Sequence, residues 1–266
     1  MSDTDQKIIP AATILMLRDG ADGLEVLMVK RHHAIDFASG ALVFPGGKLA
    51  AGDDEPVLSE LCHGLNLLPP AALGFAVAAV REAFEESGLL LAYDRRAEGR
   101  MVGPERLAHL DRYRKLLDRG DITMRAFLAA EGLELALDRL VPFAHWVTPN
   151  VMPKRFDTHF FAAAAPADQI ARHDGSESVD SLWISPAKAL ADAEDGKSTI
   201  VFATRMNLKM LADSATVTEA LSSAQARKVV TVMPELDNDA PGGAVLRIPA
   251  EAGYGITEVP LDRVSR

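Results

Sequence analysis

Apolar and polar residues follow two different periods along this chain. Ala11-Ala12-Thr13-Ile14-Leu15-Met16-Leu17 is a short continuous apolar run of the kind that makes a buried strand. The turn signals Asp19-Gly20 and Asp22-Gly23 follow, and then Leu24-Glu25-Val26-Leu27-Met28-Val29, so the pair predicts a hairpin. Leu42-Val43-Phe44 predicts a third short strand, ended by a Pro45-Gly46-Gly47 turn where backbone can approach a ligand closely. From about Ala71 to Ser87 the period becomes helical. Val77, Val80 and Phe84 recur at i, i+3 and i+7, Pro69-Pro70 opens the helix, and Gly88 supplies the stop.

Leu89-Leu90-Leu91-Ala92 predicts the next strand. Between residues 95 and 140 the pattern changes. Leu107, Leu110 and Leu117 have helical spacing, and Thr123–Ala130 and Leu133–Leu137 read as shorter helical pieces. This segment is expected to be an inserted helical subdomain over the mouth of a site, where a lid would bring specificity; a dimer contact or padding is the plainer alternative. Strands resume at Leu140–Pro149, where Trp146 reads more readily as core than as a substrate platform, at Arg155–Ala162 and at Leu182–Ile184. A capped helix begins at Ser185, and a longer one spans residues 199–228. Residues 229–266 hold two short strands, Val229–Val232 and Ala244–Ile248, on either side of Pro241-Gly242-Gly243. The expected class is α/β (α+β), with residues 1–266 forming one domain.

The chemistry concentrates at the end of the helix. Glu82, Glu85 and Glu86 lie at i, i+3 and i+4 and share a face, where like charges repel by a few tenths of a kcal/mol per exposed pair. A hard divalent cation with oxygen ligands would offset this. A solvated acidic face, with Arg81 as a partner, would offset it equally well.

Arg81-Glu82-Ala83-Phe84-Glu85-Glu86-Ser87-Gly88-Leu89 resembles the second half of the Nudix box, G-x5-E-x7-R-E-U-x-E-E-x-G-U, at every fixed position. Phe44-Pro45-Gly46-Gly47-Lys48-Leu49, with Gly52-Asp53, resembles the first half. Asp53 stands where the family usually has Glu, one methylene longer. Between Asp53 and Arg81 there are 27 residues where the box has 7, so residues 54–72 read as an insertion within it. An interrupted box of this kind marks the Nudix branch that includes the peroxisomal acyl-coenzyme A diphosphatase, and the Trp146-Val147-Thr148-Pro149 and Arg155-Phe156-Asp157-Thr158 segments resemble the same branch.

The resemblance implies a Nudix α/β/α sandwich with a mixed sheet, plus the inserted helical subdomain. It implies metal-dependent hydrolysis of a nucleoside diphosphate linked to another group, with Mg2+ or Mn2+ as cofactor and a possible homodimer. The implied metal ligands are Glu82, Glu85, Glu86 and the carbonyl of Gly46, although a plain turn glycine would read the same at that position. The general base is Glu82 or Glu177, which matches the acidic residue before the last strand of the sheet; Asp180 is its reserve, and a solvated acidic loop is the alternative. Arg81 orients a glutamate through a charge-assisted hydrogen bond. Arg31 and Arg155 are candidates for phosphate contacts, since a guanidinium holds phosphate oxygens in pairs; Gly47 lines the substrate approach. Arg155 has a plainer reading, an ion pair with Asp157 or another surface carboxylate. The branch suggests coenzyme A or acyl-coenzyme A as substrate, cut to 3′,5′-adenosine bisphosphate and a phosphopantetheine. ADP-ribose, NADH and dinucleotides are the alternatives, and the coenzyme A signature that other Nudix families carry upstream of the box is not evident. A non-catalytic Nudix-fold sensor is the rival class; such modules typically lose box glutamates, and this chain keeps all three.

Composition narrows the partners. The formal net charge of −10 argues against broad nucleic-acid or anionic-membrane binding and leaves room for a local basic pocket. No apolar run reaches membrane-spanning length. The single cysteine, Cys62, excludes an intrachain disulfide and suits a reducing compartment. Val264-Ser265-Arg266 is not a peroxisomal address, so the expected location is cytoplasmic.

Overall fold

The long first strand decides the layout. The computed structural model describes residues 7–31, 40–69, 71–171 and 178–261, with backbone alone at residues 31 and 178–180. Strand β1 (Ile8–Gly20) runs parallel to a strand from the second half of the chain over ten residues, from Ile8 opposite Arg155 to Leu17 opposite Ala164. On its other edge β1 changes partner. Leu17–Gly20 pair with β2 (Gly23–Arg31), whereas Ala11–Thr13 pair with β4 (Gly46–Lys48), and β3 (Leu42–Val43) pairs with β2. This fork brings the Gly46-Gly47 turn beside the middle of β1.

Alternate β1 side chains go to opposite faces. Ala12, Ile14 and Met16 join one core, and Leu15 and Leu17 join another, all of them almost fully buried. The first core is covered by helix α1 (Leu73–Ser87). Its residues Ala76–Ser87 are all buried, which suits its four alanines and leaves no solvated face. Gly88 ends it with φ of 73°, a left-handed conformation that costs glycine little, and its amide bonds Phe84 O.

After α1 come β6 (Ala92–Asp94), β7 (Arg100–Met101), α2 (Pro104–Leu110), α3 (Arg114–Asp118), α4 (Met124–Glu131) and β8 (Leu133–Ala136). The expected strand at Leu89–Ala92 therefore starts later. Leu90 has no ladder; its amide and carbonyl both bond the buried side chain of Gln169, at 2.8 and 3.0 Å. The segment at 95–140 is also not purely helical. Gly132 stops α4 in the left-handed region, and Leu133–Ala136, expected as a helix, pair as a strand with β6 and with β5 (Cys62–His63) from the 54–72 insertion. A five-residue segment of mixed leucine, alanine and glutamate is too short to distinguish the two periods.

The main sheet is completed by β9 (Val141–Val147), β10 (Arg155–Ala164) and β11 (Ser178–Ile184), in the order β11-β2-β1-β10-β9. Helices α5 (Pro186–Glu194), α6 (Phe202–Ala212) and α7 (Val217–Ala226) cover its second face. The single long helix expected over 199–228 is two. Thr216 caps the second by accepting from Glu219 N at 3.2 Å, while Glu219 reaches back to Ala215 N at 2.8 Å, a near capping box. Strand β12 (Thr231–Val232) adds to the edge at β9, and β13 (Glu235–Asp237), β14 (Val245–Arg247) and β15 (Glu258–Pro260) form a separate small sheet. With helices on both faces of a mixed sheet, the architecture is the expected α/β/α sandwich.

Candidate active site

Arg81 is the hub. It is 5% exposed, on the α1 face that looks toward β4. Its Nη1 donates to Glu82 Oε1 at 2.9 Å and Glu85 Oε2 at 2.8 Å. Its Nε and Nη2 donate to Asp53 Oδ2 at 3.1 and 3.0 Å, and Nη2 also to Lys48 O at 2.8 Å. The shorter Asp53 thus still reaches the arginine, while its Oδ2 accepts from Ala50 N at 2.8 Å. Asp53, Glu82, Glu85 and Glu86 are all under 9% exposed, so the solvated acidic face is excluded.

Three buried carboxylates around one guanidinium leave negative charge in excess. Glu85 shows the strain most: burial pushes its carboxyl up to about 8, against the pull of Arg81, with Glu82 and Asp118 adding to the rise. Its Oε1 is buried without a hydrogen-bond partner. An orphaned carboxylate oxygen beside two further glutamates is a hard-oxygen donor set, so Glu82, Glu85 and Glu86 could hold a divalent cation such as Mg2+ or Mn2+.

The two glycines make room for this cluster. Gly46 N donates to Glu86 Oε2 at 3.2 Å, and a Cβ on Gly46 would lie 2.6 Å from Ala12 O. A Cβ on Gly47 would strike the Glu82 carboxylate, 2.6 Å from its Cδ. Gly47→Ala is therefore expected to displace Glu82 and lower turnover on the order of 100-fold, since ångström misplacements at a reacting centre cost that much. Steady-state kinetics beside a melting curve checks this, with stability changing by no more than about 1–3 kcal/mol.

The cluster opens on a cavity of about 910 Å3 on the sheet face away from α1. Gly46, Gly47, Arg81, Glu82 and Glu85 form its acidic end. Phe44, Trp146, Phe156, Phe160 and Phe202 give it an apolar wall, and Lys48, Arg119 and Lys154 are the cations on its lining. Trp146 is both core and wall: it is 5% exposed, and its indole N–H bonds Tyr254 OH at 2.9 Å, which bonds Asn207 Oδ1 at 2.7 Å. Leu117–Gly120, at the end of α3, close part of the mouth.

Arg155 does not belong to this cavity. Along β10, Phe156, Thr158 and Phe160 face it, so Arg155 has the opposite parity. Its Nε donates to Thr148 O at 3.0 Å, which also replaces the ion pair with Asp157. Lys154, its neighbour, lines the cavity instead; the strand period counted from Phe156 would have found it. Arg31 ends β2 with its side chain outside the described residues, and Glu177 lies outside them as well. The side chain of the reserve Asp180 is likewise not described.

Arg114 has no local sequence signal. It is buried on α3, and its Nε and Nη2 both donate to Glu85 O, at 3.1 and 3.0 Å. That carbonyl is one of the last four of α1, which have no partner within the helix. The inserted segment thereby fixes the end of the glutamate-bearing helix.

Comparisons place the chain among known proteins. The family model of the NUDT19 Nudix domain matches residues 56–203. The acyl-coenzyme A diphosphatase NUDT19 of Xenopus laevis is 24% identical over 65% of this chain and 56% of its own length. A curated relative from Caenorhabditis elegans is 29% identical over 65% of this chain and 50% of its own length. The chain thus spans about half the length of these curated relatives. The crystal structure of a Nudix hydrolase from Alicyclobacillus acidocaldarius superposes with a TM-score of 0.67 at 30% identity, covering 82% of this chain and 97% of that one. With the family model spanning more than half of its residues, the chain belongs to the Nudix hydrolase family, in the branch of the NUDT19 Nudix domain.

Proposed function

We propose that this protein hydrolyses a pyrophosphate bond in a nucleoside diphosphate linked to another group, with coenzyme A or an acyl-coenzyme A as substrate and Mg2+ or Mn2+ as cofactor. The carrying observation is the buried array of Glu82, Glu85 and Glu86 around Arg81, with an orphaned Glu85 oxygen at the acidic end of the cavity. A divalent cation held there supplies charge neutralisation of the pyrophosphate and activation of water. The chain's own residues do the rest. Arg81 holds Glu82 and Glu85 in place, and Arg114 fixes the helix that carries them. Gly46 and Gly47 let phosphate approach the backbone closely. Lys48, Arg119 and Lys154 offer the charge for phosphates that the expectation gave to Arg155. We assign proton removal from the attacking water to Glu82, on the support that it borders the cavity.

The coenzyme A assignment draws on the Xenopus relative and on the cavity, whose volume lies at the upper end for small-molecule sites and whose apolar wall suits a pantetheine or acyl chain. A reducing, cytoplasmic location is proposed on Cys62, a lone thiol pushed up to about 12 by burial and Glu134 and so poorly reactive. The test is a substrate panel read by mass spectrometry: coenzyme A, short and long acyl-coenzyme A, NADH, ADP-ribose and diadenosine phosphates, with Mg2+, with Mn2+ and with chelator. Metal-dependent release of 3′,5′-adenosine bisphosphate is the expected result. Cleavage of another member would keep the reaction and discard the substrate, and no metal-dependent cleavage at all would overturn the reading.

A further inference from the structure

The sheet face turned away from the cavity carries a second constellation. Trp146, Phe156 and Thr158 face the cavity, and their strand neighbours His145, Asp157 and His159 point to the other side, toward α1. His145 and His159 are opposite each other in the β9–β10 register, with rings stacked at a centroid distance of 4.1 Å. His159 stacks in turn on Phe75 of α1 at 3.9 Å. One ligating atom from each of His145, Asp157 and His159 lies within 4.8 Å of the other two. All three are half-buried, so a route from solvent exists.

We infer that His145, Asp157 and His159 form a second metal site, selective for a late first-row divalent ion such as Zn2+ or Co2+. Two imidazoles and one carboxylate are a nitrogen-rich set that suits these ions, whereas Mg2+ prefers oxygen ligands. Three protein ligands leave a fourth position for water. Tetrahedral bonds of about 2.0–2.1 Å would set ligand atoms about 3.3 Å apart. Asp157 Oδ1 is 2.5 Å from His145 Nε2 and 3.9 Å from His159 Nε2, and all three ligand atoms lie within 4.8 Å of one another, so ion binding requires the two stacked rings to rotate until their nitrogens converge.

The partner of the other His145 nitrogen is compatible with the assignment. Nδ1 lies 2.8 Å from Thr231 Oγ1 on β12. With Nδ1–H donated to that hydroxyl, Nε2 presents a lone pair to the Asp157 carboxylate. The second nitrogen of a ligating histidine usually donates to a carboxylate, carbonyl or water, and here the Thr231 hydroxyl would take that place. The competing arrangement is an ordinary hydrogen bond, with Nε2–H donating to Asp157 and Thr231 donating to Nδ1.

The experiment uses the full chain, stripped with chelator and titrated with Co2+ under excess Mg2+, which occupies the glutamate array. Visible d–d absorption should saturate at one equivalent and be displaced by Zn2+, and saturating Zn2+ should raise Tm by about 5–10 °C. His159→Gln and His145→Gln should each weaken binding by at least about 10-fold, while Mg2+-dependent hydrolysis in His159→Gln stays within about twofold. Thr231→Val, an exposed change that spares the strand pairing, should weaken binding about 10-fold and guards against a misfolded histidine variant. Absence of Co2+ bands in the parent protein, or bands unchanged in the Thr231 and both histidine variants, would overturn the site and favour the hydrogen bond. Because the readout is spectroscopic, failure of the hydrolase reading would leave this result intact.

Discussion

Arg81→Ala should destabilise the protein by about 3–5 kcal/mol and abolish hydrolysis. The arginine is the counter-charge for Asp53, Glu82 and Glu85, all buried, and it also ties the loop carbonyl of Lys48 to α1. Without it the carboxylates must stay charged in a poorly solvated place or take up protons. The loss should therefore depend on pH. A carboxyl whose folded pKa is raised above its unfolded value stabilises the fold while protonated, and that contribution disappears as pH rises through the folded value. Glu85 already sits at about 8, so the variant should be closest to the parent near pH 5 and weakest above pH 8. Urea denaturation followed by fluorescence of Trp146 and Trp183 measures this. Arg81→Lys should recover only part of the loss, because an ammonium cannot engage Asp53 and two glutamates in one plane. A change below about 1 kcal/mol at pH 8 would mean that the array is not held by Arg81.

Glu85→Gln should lower turnover by about 100- to 1000-fold, the usual cost of one electrostatic contact at a reacting centre, and should not weaken the metal-free fold. The amide oxygen can still accept from Arg81 Nη1, now at 2.8 Å from Glu85 Oε2, while the buried excess charge is gone. Above pH 8 the metal-free variant should match or exceed the parent in Tm, a trade of stability for activity found at many active sites. Mg2+ should raise the parent's Tm, more so as pH goes from 5 to 8 and Glu85 gives up its proton, and should do little for the variant. Glu86→Gln is the companion: turnover lost, fold kept. If Glu85→Gln retains parental turnover, the glutamate array is not the reactive centre.

The parts of this site that were legible in the sequence are those whose partners lie within a turn or two of chain. Glu82, Glu85, Glu86 and the stop at Gly88 are set by helical spacing alone. Gly46-Gly47 is legible as a place needing no side chain, although the sequence does not say that the intruder would meet Glu82. What depended on distant chain was not legible. Arg114 acts on Glu85 from 29 residues away, and Gln169 serves Leu90 from 79. Neither bond leaves a periodicity. Arg155 is off the cavity lining for a different reason: in a strand one residue of offset changes the face, and its neighbour Lys154 carries the charge on the cavity side. The break between α6 and α7 was in plain sight at Thr216-Val217-Thr218-Glu219, a helix-start signal inside an apolar pattern that looked continuous.

The pairing of Cys62–His63 with Leu135–Ala136 joins two segments, one ahead of α1 and one behind it, in a single sheet in the order β5-β8-β6-β7. Each therefore closes the open edge of the other. Losing either would expose an unpaired strand, and losing the second would also free the end of α1 that Arg114 holds. Residues 54–72 and 95–140 should accordingly open and close together as one cooperative unit, however far apart they stand in the chain.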